Sequence, residues 1–193
     1  LKLVIINYGA GNIKSIQFAF KRLGYDAILS DTAEEILAAD KVIFPGVGEA
    51  SYAMKMLKNS GLDMIIPQLK QPVLGICLGM QLLCNHTEEG NTDGLGIFNT
   101  NVKRFSNKVK VPQMGWNTIE NLKSELFEGI KDKEFTYLVH SYYAELCDAT
   151  IATTNYDLNY ASALQNNNFY GVQFHPEKSS NAGEIILNNF LKL

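Results

Sequence analysis

Apolar positions in the first half of the chain follow two alternating rhythms. Short, mostly apolar runs at Lys2–Ile6, Tyr25–Leu29, Lys41–Phe44 and Pro72–Ile76 read as strands, the first of them buried. Between the first two, Ile13, Ile16, Phe20 and Leu23 recur at helical spacing, and Gly24 follows as a helix stop. Thr32–Ala38 reads as a short helix, and a helical stretch beyond Gly48 ends near Asn59. A further helix is predicted from Cys77 to about Asn85, with Cys84 on it as a core residue and His86 at its solvent-exposed end. Strands alternating with helices predict a parallel sheet covered on both faces.

The second half changes rhythm. Val102–Phe105, Phe135–Val139, Tyr142–Cys147, Ile151–Thr154, Ala161–Gln165 and Phe169–Phe174 are short β-branched or aromatic runs separated by polar turns, one of them Asn166-Asn167-Asn168. They predict antiparallel hairpins, with Cys147 packed in a strand. A last helix is expected from Asn181-x-x-Glu184, with Ile186/Phe190 and Leu187/Leu191 as apolar i,i+4 pairs. The predicted fold class is α/β: an open, mostly parallel sheet flanked by helices, with added antiparallel strands in the C-terminal half. No repeat, linker or low-complexity block divides residues 1–193, so one domain is expected.

Composition narrows the function classes. At 193 residues and 46% hydrophobic content, a domain of this size builds a core without disulfide or metal staples. Seventeen basic against twenty acidic side chains give a net charge of −3, which supplies no basic field for a phosphate backbone. Three cysteines without C-x-x-C spacing disfavour a disulfide framework or a zinc ribbon and fit a reducing compartment. No apolar run approaches the ~20 residues of a membrane helix, and no signal-peptide pattern opens the chain. A cytoplasmic protein is expected, in which the sequon Asn85-His86-Thr87 is accidental. Three scattered histidines predict no metal site, and Lys14 stands where a dinucleotide loop needs its third glycine.

Three segments carry candidate chemistry. Gly75-Ile76-Cys77-Leu78-Gly79 follows an apolar strand and opens a helix, the cysteine counterpart of the G-x-S-x-G nucleophile elbow. Such a turn strains the nucleophile, sets its sulfur at a helix start where thiolate is favoured, and aims the Leu78 N–H at a developing oxyanion. A small buried cysteine between packing glycines is the alternative. Phe174-His175-Pro176-Glu177 ends another strand, and alternate residues there project to one side, as a base and its orienting carboxylate require. Without the elbow cysteine it reads rather as a surface pair. Pro45-Gly46-Val47-Gly48 leaves a third strand, and glycines around Val47 allow its peptide to turn and offer a second oxyanion donor, worth about 3–4 kcal/mol in a transition state. The alternative is an ordinary strand-exit turn. His140, ahead of Ser141-Tyr142-Tyr143, either borders a pocket or caps a hairpin.

In this order the three segments resemble the class I glutamine amidotransferases, in which a Cys–His–Glu triad hydrolyses the glutamine side-chain amide and hands ammonia to a synthase. The resemblance covers essentially the whole chain. It implies Cys77 as nucleophile, His175 as base and acid, Glu177 as the group orienting the imidazole, and Val47 and Leu78 as oxyanion donors. Gly46, Gly48, Gln81, Glu89, Ser141 and Tyr142 are the implied substrate-binding residues. Asn7-Tyr8-Gly9-Ala10-Gly11-Asn12 and Met114-Gly115-Trp116-Asn117 further resemble the subfamily of glutaminase subunits of imidazole glycerol phosphate synthases. That subfamily implies a heterodimer with a (β/α)8-barrel cyclase, contacted through Asn12, Met114, Trp116, Asn117 and Lys178, and neither cofactor nor metal. The same two segments argue against subunits for pyridoxal phosphate or anthranilate synthesis. Still open are a paralogous subunit feeding a sugar-modifying amidotransferase, a cysteine peptidase, for which Gln81 would lack a purpose, and an inactive interaction module.

Overall fold

The computed structural model describes residues 1–9 and 12–193; Ala10 and Gly11 of the Asn7–Asn12 turn lie outside the described residues. The first half winds as β1 (Leu3–Ile6), α1 (Ile13–Arg22), β2 (Ala27–Ser30), α2 (Ala33–Leu37), β3 (Lys41–Phe44), α3 (Ala50–Ser60), α4 (Leu62–Ile65), β4 (Val73–Ile76) and α5 (Leu78–Leu82). The second half runs β5 (Cys84–Thr87), β6 (Thr92–Asp93), β7 (Phe98–Arg104), β8 (Gln113–Ile119), β9 (Glu134–His140), β10 (Tyr142–Ala144), β11 (Thr150–Tyr156), β12 (Leu158–Asn166), β13 (Phe169–Val172) and α6 (Ser180–Lys192). Among the described residues one large sheet has the order β2-β1-β3-β4-β13-β12-β10-β7-β5-β6, with β11 on β12. Its first five strands are parallel. Antiparallel pairing begins at β12, as the change of rhythm predicts.

The alternation within each parallel strand builds two cores. Val4, Ile6, Val42 and Phe44 face one side, with Ile36 of α2 and Ala53, Met54 and Leu57 of α3. Leu3, Ile5, Ile43, Leu74 and Ile76 face the other, with Ile16 and Phe20 of α1 and Ile186, Leu187 and Phe190 of α6. This is the period of two expected of strands covered on both faces. Helix α3 starts where the Glu49 carboxylate accepts from the Ser51 and Tyr52 N–H groups and stops at Gly61, φ 72°.

Several expectations are corrected. The helix expected to reach Asn85 ends at Leu82, so Cys84, although core, opens β5, and His86 is a strand residue beside Asp93. Remote partners cause the early stop: the Leu95 N–H takes the Leu82 carbonyl, the Ile97 and Phe98 N–H groups take Leu83, and Gly96 takes Cys84. The Phe135–Val139 run leaves the main sheet and pairs with β8, which the apolar pattern does not predict. Cys147 lies in the turn beyond β10 rather than in a strand. The last helix begins at Ser180 without a side-chain cap, because the Ser179 hydroxyl instead donates to the His175 carbonyl at 2.6 Å and accepts from Tyr137 N at 3.0 Å.

One close approach places β3 against the start of α5. A Cβ on Gly79 would stand 2.0 Å from the Phe44 carbonyl oxygen, and one on Gly46 2.6 Å from Gly79 N. Only hydrogens fit between these segments. Gly79→Ala is therefore expected to cost about 3 kcal/mol through overpacking and to lower the melting midpoint by roughly 6–12 °C, measured by calorimetry against the wild-type protein.

Candidate active site

Cys77 occupies the turn between β4 and α5 with φ 53° and ψ −111°, a region a side chain enters at a cost of about 1–3 kcal/mol. Backbone bonds hold it there: Cys77 N donates to Val172 O at 2.8 Å and Gln81 N to Cys77 O at 3.2 Å. The first of these comes from β13, whose parallel register sets Val172 beside Ile76. Extending β13 by three residues brings His175 beside the elbow, with Glu177 in the 3-10 turn Pro176–Lys178 behind it. His175 Nδ1 lies 2.8 Å from Glu177 Oε1, and both side chains are almost fully enclosed.

A cavity of about 330 Å³ opens over this turn, within the range of small-molecule pockets. Val47, Gly48, Cys77, Leu78, Gln81, Glu89, Ser141, Tyr142 and His175, all singled out in the sequence, line it. Gly46 instead lies under the elbow, packed on Gly79, and Glu177 stands behind the imidazole. Gly48 has φ +94° and Val47 is 39% exposed, so the segment that follows β3 reaches the cavity rim. His140 borders the cavity rather than merely capping a hairpin, and Pro112 and Val139 complete its lining. Glu89 reaches the site by accepting from the Ala50 N–H at 2.9 Å; burial raises its carboxyl pKa, that bond opposes the rise, and Glu49 adds to it.

The electrostatics separate the two buried histidines. Burial drives His140 down to about 4, against a bond to the Tyr142 carbonyl, so it is neutral at pH 7. Its Nδ1, 2.7 Å from that carbonyl, must carry the proton, while Nε2 lies 3.2 Å from the Tyr160 hydroxyl. Burial pushes His175 down as well, but Cys77 and Glu177 outweigh it and lift the imidazole to about 10. The apolar pattern overlooks two further polar groups. The buried Tyr8 hydroxyl donates to the Pro45 carbonyl at 2.7 Å and pins the segment carrying Val47. Gln173, fully buried, lies between Gln81 and the Cys77 sulfur; its signal is one polar side chain in an apolar run, two positions before His175.

A family model described as "Glutamine amidotransferase class-I" matches residues 4–193. The chain belongs to the class-I glutamine amidotransferase family. This amidotransferase is 56% identical to imidazole glycerol phosphate synthase subunit HisH of Bacteroides fragilis over 196 aligned positions, covering all of both chains. It is 45% identical to the subunit of that name from Pectobacterium atrosepticum, again over the full length of both. Among solved structures, a putative GMP synthase subunit from Thermoplasma acidophilum superposes with a TM-score of 0.76 at 20% identity, covering 100% of this chain and 92% of that one. PurLQS from Thermotoga maritima superposes at 0.75 and 15%, covering 99% and 97%. At such identities these structures show a shared fold.

Beyond the cavity, the amidotransferase exposes two large apolar side chains on one strand: Met114 is 65% and Trp116 53% exposed on β8, although Gln113 beside them is buried. Pro112 borders both the cavity and the pocket beside Met114 and Trp116. Lys178 is exposed on the 3-10 turn that carries Glu177, Asn12 precedes α1, and the Asn117 amide is occupied by the Asn155 carbonyl at 3.0 Å. Among the described residues no helix is long and apolar enough to cross a membrane.

The raised His175 pKa has a stability consequence. Its contribution is complete below the unfolded value near 6.5 and is lost as pH rises through about 10. Cys77→Ala removes part of what holds the imidazole charged, so the fall in melting temperature between pH 7 and 10 should be shallower than in wild type. Melts across that range check this; parallel curves would show that Cys77 does not stabilise the imidazolium.

Proposed function

We infer that this chain is the glutaminase subunit of imidazole glycerol phosphate synthase, with its role in histidine biosynthesis. The observation that carries the reading is the 56% identity over the full length of both chains to a subunit of that name. The cavity is consistent with it, since Cys77 and His175 line it and the Glu177 carboxylate stands behind the imidazole. The chain acts as a single amidotransferase domain in the cytoplasm; the family match over residues 4–193 and three unpaired cysteines support this.

Cys77 thiolate adds to the side-chain amide carbon of glutamine, and the N–H groups of Leu78 and Val47 hold the resulting oxyanion. His175 passes its proton to the departing nitrogen, ammonia leaves and a thioester remains. The imidazole then takes a proton from water, hydroxide attacks the thioester, and the thiolate departs as glutamate forms. Glu177 keeps the Nδ1 proton directed at itself, leaving Nε2 for this shuttle. Gly48, Gln81, Glu89, Ser141 and Tyr142 bind the glutamine, and Gly46 lets the Val47 segment lie close to the elbow.

Ammonia protonates in neutral water and loses nucleophilicity, so a dry exit into a partner suits the chemistry. That partner is a (β/α)8-barrel cyclase, which uses the ammonia to form imidazole glycerol phosphate and AICAR. It docks over Asn12, Met114, Trp116, Asn117 and Lys178. The exposed apolar pair on β8 supports this placement, because such residues at the centre of an interface carry much of its binding energy.

Glutamate release, measured for the protein alone and with a purified barrel cyclase and its phosphoribosyl-formimino substrate, tests the reading. Activity should rise by orders of magnitude in the complex, and Cys77→Ala should lower it by at least about a thousandfold. A response only to a different synthase would redirect the ammonia, and no response to any would remove the function. Trp116→Ala should raise the Kd for the cyclase by roughly 30-fold, as expected of a buried aromatic anchor; titration calorimetry reads this directly.

A further inference from the structure

The buried amides beside the sulfur form a chain whose orientation can be deduced from one end. The Tyr142 carbonyl is an acceptor only, so the Gln81 group 2.9 Å from it must be the amide nitrogen. That nitrogen also lies 2.8 Å from the Gln173 side chain, which must therefore present its oxygen to Gln81. The other arm of the Gln173 amide, its NH2 group, is then turned to Cys77, with Nε2 3.6 Å from Sγ. Gln173 is fully buried and its backbone N–H is taken by the Ser162 carbonyl at 2.8 Å, so the side chain is anchored at both ends.

Sγ has a second polar neighbour, the Val139 carbonyl oxygen at 3.9 Å. A neutral thiol can donate its proton there, whereas a thiolate finds only the negative end of that dipole. The Gln173 N–H is the converse: a weak partner for a thiol and a charge-assisted donor to a thiolate. We propose that Gln173 is a catalytic residue of this site, whose amide N–H holds the Cys77 sulfur as the attacking anion and offsets the Val139 carbonyl. The proposal rests on the glutaminase reading for the role of the anion, but not for the hydrogen bond itself. Buried glutamine serves this purpose better than a charged donor, because it has no proton to lose and does not compete with His175 for the transferred one.

The other titratable groups facing Cys77 are His175, with Glu177 behind it, Tyr8 after β1 and Tyr160 on β12; His140, Glu89 and Tyr142 share the cavity wall. All remain in place when only residue 173 changes. Gln173→Met and Gln173→Glu are nearly isosteric, the first removing the donor and the second placing a carboxylate against the sulfur. The rate of Cys77 alkylation by iodoacetamide, followed by peptide mapping from pH 5 to 10, reads the thiolate fraction without any partner or glutamine. Gln173→Met should move the inflection up by about one pH unit and slow alkylation below it about tenfold, the scale of one hydrogen bond to a charged group. Gln173→Glu should move it further. Gln81→Met, which releases the Gln173 oxygen, should give a smaller shift of the same sign and keeps the test available if substitution at 173 prevents folding. A packing role alone would lower the melting midpoint and leave the profile unchanged. An unchanged profile in any variant at 173 that melts as a folded protein overturns the proposal, as does an unchanged Gln81→Met profile if neither does. Wild-type glutamate release with the cyclase is scored separately, so the loss of the glutaminase reading and of the Gln173 bond remain distinguishable.

Discussion

The parallel pairing of β4 with β13 is the constraint on which the site depends. These strands are far apart in sequence, yet their register sets Ile76 against Val172 and lets the Cys77 N–H donate to the Val172 carbonyl. The same pairing therefore closes the strained elbow and delivers the strand that carries Gln173 and His175. Strain at Cys77 persists because neighbouring backbone over-determines it: β13 holds it on one side, and the glycine contact between Gly79 and Phe44 leaves no room for the elbow to relax on the other.

Around this junction the buried polar groups form one connected set. His175 is oriented by Glu177, Gln173 by Gln81, Gln81 by the Tyr142 carbonyl, and His140 by that same carbonyl. From His140 the contacts continue through the Tyr160 hydroxyl, 2.9 Å from Gln113 Oε1, to the start of β8. Buried polar atoms are costly unless partnered, so each member restricts the rotamers of the next. The two histidines show how local the outcome is. Both are desolvated, but only His175 has a carboxylate and a sulfur beside it, and only His175 is held charged.

The first half of strand β8 inverts the usual rule of apolar inside and polar outside, before Ile119 at its far end returns to the core. Gln113 is buried toward Tyr160, whereas Met114 and Trp116 stand in solvent. The pair adjoins the wall of the cavity through Pro112, which borders both. Gln113 at the start of β8 meets the buried network while Met114 and Trp116 stand in solvent, so one strand borders both the cavity and an exposed apolar pair.

Much of this protein is legible in the chain itself. Strands covered on both faces appear as apolar runs, and the strand–helix alternation, the elbow around Cys77 and the strand-end pair His175 and Glu177 each rest on local pattern. The sequence determined those elements because their signals are local: periodicity, turn chemistry and glycine at points of close approach. Tertiary structure alone decided the rest. Helix α5 stops at Leu82 because carbonyls there are taken by residues 95–98, and β8 exists because β9 pairs with it despite its weak apolar pattern. Gln173 becomes a neighbour of the sulfur only when β13 lies beside β4. A hydrogen bond between distant residues leaves no periodic trace in a chain, and a buried polar side chain acquires its role from the partner that folding sets opposite it.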